Sequence, residues 1–211
     1  FLIGAAEEFV FRGLIAGIIL KKYGRDPAGV WFSVFISGAI FGAMHMANAV
    51  TLGTPASVAV QALVASVLGM AITAVYYRTR NLWVVVALHA AIDFASLLPS
   101  GLFAGGASIA GTIGSYSALN LVGVFPYLIF TCVLLRPEMM REITGSAEPS
   151  SKGSKRRAAA AGLGLLAVFI FAAALLIPQT LSSLPPLGGR VICSFSGTFP
   201  KGTVIPVEVE E

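Results

Sequence analysis

The chain has 211 residues, of which 56% are hydrophobic and only 11% charged, with a mean hydropathy of +0.86. A soluble domain carries about 25% charged residues, so this composition excludes a water-soluble globule and makes the bilayer the natural solvent. The net charge of +4 lies in short stretches between apolar runs, which marks it as loop placement and argues against a nucleic-acid partner.

In chain order, six apolar segments stand at about residues 1–20, 30–50, 56–77, 82–99, 113–135 and 158–177. About 20 apolar residues cross a hydrocarbon core of about 30 Å. The expected fold class is therefore all-α, a polytopic transmembrane helix bundle of about six spans. The first segment opens on Phe1 with no basic stretch before it and reads as the start of a truncated chain, not a signal peptide. Breakers follow the spans: "YGRDPAG" after the first, "LGTPAS" after the second, "LPSGLFAGGASIAG" after the fourth. Residues 1–135 read as a helical core, 136–157 as a basic polar linker, 158–177 as an additional transmembrane helix and 178–211 as an extramembrane tail. Cys132 sits in an apolar run and Cys193 in the tail, a pattern that argues against a disulfide framework.

Charge orients the array. Lys21, Lys22, Arg25, Arg78, Arg80, Arg136, Arg141, Lys152, Lys155, Arg156 and Arg157 all fall in alternate loops. The loops between, around 51–55 and 100–112, have no Lys or Arg. The basic side is expected to be cytoplasmic, near anionic lipid, and the tail with Arg190 and Lys201 to lie opposite.

The polar residues left inside the spans are few. Segment one holds Glu7, Glu8 and Arg12, segment two His45, segment three Gln61, and segment four His89 and Asp93. A charge at the centre of a spanning helix costs about 2.5–3.5 kcal/mol on insertion scales, so each requires a reason. Glu8 and Arg12 are four apart and share a helix face, where they neutralise each other. Glu7 points about 100° away with Phe11 at its i+4 position, leaving it free to face a cavity. His89 and Asp93 are again four apart, and Phe41 lies one turn before His45. At 1.5 Å per residue, Glu7 and His45 lie about 20 Å from the basic side and His89 and Asp93 about 12–18 Å. A carboxylate, two imidazoles and a second carboxylate at that depth suit activation of a water and stabilisation of an oxyanion. The same four residues, Glu7, His45, His89 and Asp93, are also plausible ligands of a divalent metal such as zinc. Gln61 reads as an interhelical hydrogen bond.

The stretches "EEFVFR", "FGAMH" and "HAAID", in this order and each on its own segment, resemble the Glu-Glu-x-x-x-Arg, Phe-x-x-x-His and His-x-x-x-Asn/Asp signatures of one family. This is the CAAX protease and bacteriocin-processing family of intramembrane proteases, also called type II CAAX prenyl endopeptidases or abortive-infection proteins. The resemblance covers about residues 1–98. It implies an integral, multi-pass enzyme of a prokaryotic plasma membrane that cleaves a membrane-associated peptide or protein, prenylated or leader-bearing. It makes Glu7 the general base, with His45 holding the water and His89 with the residue at 93 stabilising the oxyanion. Glu8, Arg12 and Phe41 would support the site, and no cofactor is expected, with hydrolysis through a divalent metal such as zinc as the alternative. The chain departs from the prenyl endopeptidases in having Asp93 where they have Asn, and an ionised Asp cannot donate to an oxyanion. Two other classes fit intramembrane Glu, His and Asp: a proton- or cation-coupled transporter, and a non-catalytic immunity or scaffold protein. The absence of an internal repeat or paired broken spans weighs against the transporter.

Overall fold

The computed structural model describes residues 2–102, 108–145 and 149–182, with the side chains of 99–102, 109 and 179–182 outside the description. The expected tail beyond residue 182 lies outside the described residues. All described elements are helical: α1 (Leu2–Glu8), a π-helical stretch (Phe9–Ala16), α2 (Gly17–Tyr23), α3 (Pro27–His45), α4 (Asn48–Leu52) and α5 (Pro55–Thr79). These are followed by α6 (Leu82–Leu102), α7 (Ile109–Gly114), a 3-10 stretch (Ala118–Val124), α8 (Phe125–Leu134), α9 (Pro137–Thr144) and α10 (Lys152–Ser182).

Among the described residues, three helices are long and apolar enough to cross a membrane: Pro27–Leu52, Pro55–Thr79 and Lys152–Pro178. A fourth is added if Ala118–Leu134 and Pro137–Thr144, bent by 67°, count as one span. The six expected segments are thus helical, but fewer meet that measure. The first carries Glu7, Glu8 and Arg12 within its length, and the apolar part of α6 is the shorter Leu82–Leu98. The fifth is interrupted before Ala118, where Ser117 and Asn120 form a capping box that opens the 3-10 stretch, and it bends by 67° before Pro137.

Helix α5 is the centre, with 78% of its spanning window buried. It pairs most closely with α3, and the sequence explains how. A Cβ on Gly42 would collide with Ser66 Oγ and the Ala62 carbonyl, and one on Gly38 with Met70 and the Ser66 carbonyl. Two glycines four apart let the backbones meet, the packing device of membrane helices. Ser37 and Thr73 hydrogen-bond across this seam at 3.1 Å. The outer surface is apolar, with Leu2, Ile3, Leu14, Ile18, Val50 and Phe94 exposed, and such a surface belongs in lipid.

Residues 136–157, read from composition as a linker, contain α9 and the start of α10. Met140 and Ile143 of α9 are buried against Leu20, Val34 and Tyr77. Arg78 donates to the Met139 carbonyl at 3.1 Å and pairs with Glu142 at 2.7 Å. The starts of α3 and α10 are tied together: Asp26 accepts from Gly29 N–H at 2.9 Å and from Ser154 Oγ at 2.8 Å, and Ala28 N–H donates to Ser150 Oγ at 2.9 Å.

Asp26 outlines one pH-dependent property. Burial pushes its carboxyl upward, but hydrogen bonds from Gly29, Ser154, Ser150 and Ser151 outweigh it and hold the group below the usual aspartate range. A depressed folded value stabilises above the unfolded value of about 3.9 and is lost as pH falls through the folded one. Asp26→Ala should therefore destabilise by about 1 kcal/mol at neutral pH, the typical value of an N-cap. Thermal unfolding of the two proteins should converge below about pH 4; a gap that persists unchanged in acid would refute the role of the ionised cap.

Candidate active site

The charged residues of the first segment are placed by the π-helical turns that follow Glu8. Such turns widen the helix and leave backbone groups unpaired, and they recur at functional sites. Helix α5 braces this stretch: Tyr77 OH donates to the Ala16 carbonyl at 2.9 Å, and Arg12 Nη2 to the Gly69 carbonyl at 3.1 Å. Arg12 is fully buried, and its guanidinium also lies over the Phe41 ring, 4.3 Å from the centroid. Its charge is met by Glu8, equally buried, with Nη1 2.7 Å from Oε1.

Helix α6 brings the second group. It packs beside Gly4, where a Cβ would stand in ordinary contact, 3.6 Å from His89 Cγ and 3.7 Å from Asp93 Oδ2. His89 is buried, and its Nδ1–H donates to Glu8 Oε1 at 2.7 Å. The same carboxylate oxygen thus receives both Arg12 and His89. Because Nδ1 must be the donor to a carboxylate, Nε2 is the nitrogen left for chemistry. It faces Glu7 Oε2 and Asp93 Oδ1, each at 3.6 Å. The Glu7 and Asp93 side chains are 30% and 40% exposed, so they form the open side of a cluster whose other members are sealed.

His45 stands one ring away. Its Nδ1–H donates to the Phe41 carbonyl at 2.9 Å, again leaving Nε2 free. The Phe41 ring, 1% exposed, lies edge-on to both imidazoles, 4.9 Å from His45 and 5.8 Å from His89. Among the described residues no hydrogen bond or ion pair joins His45 to Glu7, His89 or Asp93. The structure therefore brings Glu7, Glu8, Arg12, His89 and Asp93 into one network and sets His45 beside it across Phe41. Gln61 accepts from Asn48 Nδ2 at 3.1 Å. The Glu8–His89 bond, the Gly69 carbonyl beneath Arg12 and the Arg12–Phe41 contact had no local signal in the sequence.

The metal alternative can be weighed on the donors. Among the described residues, no three His, Cys, Asp or Glu side chains are grouped as a metal ion requires. His89 and His45 each commit Nδ1 to a hydrogen bond and keep Nε2 open, as metal-bound histidines also do. It is therefore the grouping of the donors alone that does not fit a metal centre in this arrangement, and no step is derived through one.

No curated protein and no solved structure matches the chain. Residues 1–95 match the family model of the type II CAAX prenyl endopeptidases, described as Rce1-like, and they contain the whole network from Glu7 to Asp93. Over this segment, which is less than half of its length, the chain is similar to the Rce1-like type II CAAX prenyl endopeptidases.

Proposed function

We propose that the chain is an intramembrane endopeptidase in which Glu7 activates a water for attack on a peptide carbonyl of a membrane-associated substrate. The observation that carries this reading is the convergence of Glu7 and Asp93 on Nε2 of a histidine anchored from behind by Glu8 and Arg12. Glu7 is the exposed carboxylate of the adjacent pair, as a base that must reach water has to be. His45, with Nε2 unoccupied, accepts a hydrogen bond from that water and turns an oxygen lone pair toward the substrate, while Glu7 takes the other proton. As the tetrahedral intermediate forms, His89 in its doubly protonated form donates Nε2–H to the oxyanion while its Nδ1–H stays on Glu8. Glu7 then returns the proton to the leaving nitrogen, so protons balance across the cycle. The apolar surroundings suit a substrate carrying a lipid anchor.

The direct test is incubation of the full chain in liposomes with a farnesylated peptide ending in a C-a-a-X sequence, reading release of the last residues by mass spectrometry. An intact peptide would overturn the prenyl substrate, and intact unprenylated membrane peptides as well would overturn the protease reading.

Asp93 sharpens the mechanism. If the residue at 93 contributes by donating to the oxyanion, only its protonated form serves, and Asn supplies a neutral donor of the same shape. Asp93→Asn should retain activity and extend it to higher pH. A fall of about 10²–10³ in rate, the usual cost of losing one oxyanion contact, would show instead that the negative charge is what the site needs.

A further inference from the structure

A second cavity lies away from the charged network. It is a crevice of about 490 Å³ between α3, α5, α8 and α10, within the range of about 300–1,000 Å³ typical of small-molecule sites. Its lining runs from residue 28 to 35 on α3 and from 155 to 162 on α10, about 10 Å along each helix. The walls are apolar, with Trp31, Phe35 and Leu128 among them. Thr131 adds no free polar group, since its hydroxyl donates to the Tyr127 carbonyl at 2.7 Å. The charged residue of the lining is Lys155, which is exposed and makes no side-chain hydrogen bond or ion pair among the described residues. It stands at the helix starts joined by Asp26 and Ser154, the basic side of the protein, with Lys152 and Arg156 exposed beside it.

An apolar slot about 10 Å deep with an ammonium at its mouth complements a molecule that has a hydrocarbon tail and an anionic head. We propose that the crevice holds an acyl chain of an anionic glycerophospholipid drawn from the adjoining leaflet, with its phosphate paired to Lys155. Charge complementarity at the mouth selects the head group, and the apolar walls accept the chain. None of the lining belongs to the Glu7–Asp93 network, and on α3 the crevice ends six residues, about 9 Å, before Phe41. The bound lipid would also cover part of α10, since none of its spanning window is fully buried.

Native mass spectrometry of the purified full chain, titrated with dipalmitoyl phosphatidylglycerol or dipalmitoyl phosphatidylcholine, tests this. The anionic lipid should form a single adduct about fivefold more tightly than the zwitterionic one, the increment expected of one lysine near an anionic head group. Lys155→Ala should erase that preference. Ala159→Trp, at an exposed position of the lining, should remove the adduct of both lipids without changing thermal unfolding; Ala158→Leu on the same wall serves if the Trp variant does not fold. Equal binding of the two lipids to the wild type, or an undiminished adduct in the plugged variants, would overturn the proposal. Displacement of phosphatidylglycerol by a farnesylated peptide would overturn it too, by making the crevice the anchor site of the substrate.

Discussion

Glu7→Gln is expected to lower peptide cleavage by about 10²–10⁴, the contribution of a positioned general base, with the protein accumulating and unfolding as the wild type does. The reason is the exposure and spacing of its carboxylate. It is 30% exposed, and its nearest charged contact, His89 Nε2, is at 3.6 Å, beyond an ordinary hydrogen bond. Gln preserves the shape and an acceptor oxygen but cannot take a proton from water. Rates should be measured under single-turnover conditions beside a denaturation curve in the same detergent. Retention of more than about a tenth of the wild-type rate would remove Glu7 from the role of base, because no general-base contribution is that small.

How far the sequence could be read depended on whether an interaction was local. The Glu8–Arg12 pair and the shared face of His89 and Asp93 follow from helical spacing alone, and so does Phe41 one turn from His45. The α-helical segments were legible from apolar run length, because a membrane leaves the backbone few alternatives. The interruption of the first helix was not, since "FVFRGLIA" has no breaker that forces π turns; the Ala16 carbonyl at their end accepts from Tyr77, 61 residues away. The bond from His89 to Glu8 spans 81 residues, and its choice of Glu8 over Glu7 depends on how α6 is rotated against α1. That rotation is a matter of tertiary packing between α1 and α6, which no periodicity reports. Residues 136–157 looked like a linker because α9 is short and charged. Only the tertiary contacts of Met140 and Ile143 reveal its buried face.

The adjacent carboxylate gives the largest expected change in stability. Glu8 and Arg12 are both fully buried, and removing one member of such a pair leaves a charge stranded at a cost of about 3–5 kcal/mol. Glu8→Ala should therefore unfold in much milder denaturant than Glu7→Gln. The pair is also imperfectly satisfied, since Glu8 Oε2 and Arg12 Nε have no partner among the described residues. Burying two charges with unfilled hydrogen-bonding capacity adds little net stability, and replacing the whole pair with apolar residues of similar volume is often neutral or stabilising. The double variant Glu8→Leu with Arg12→Met should recover most of what Glu8→Ala loses. It should not recover activity. Without Glu8, His89 has no acceptor at Nδ1, its tautomer and ring angle are no longer fixed, and loss of such an orienting partner costs about 10–100-fold. A stable but slow double variant is thus the signature of a charge pair kept for positioning His89. A double variant as unstable as Glu8→Ala would show that the pair holds the fold, and one with full activity would show that His89 needs no orientation from Glu8.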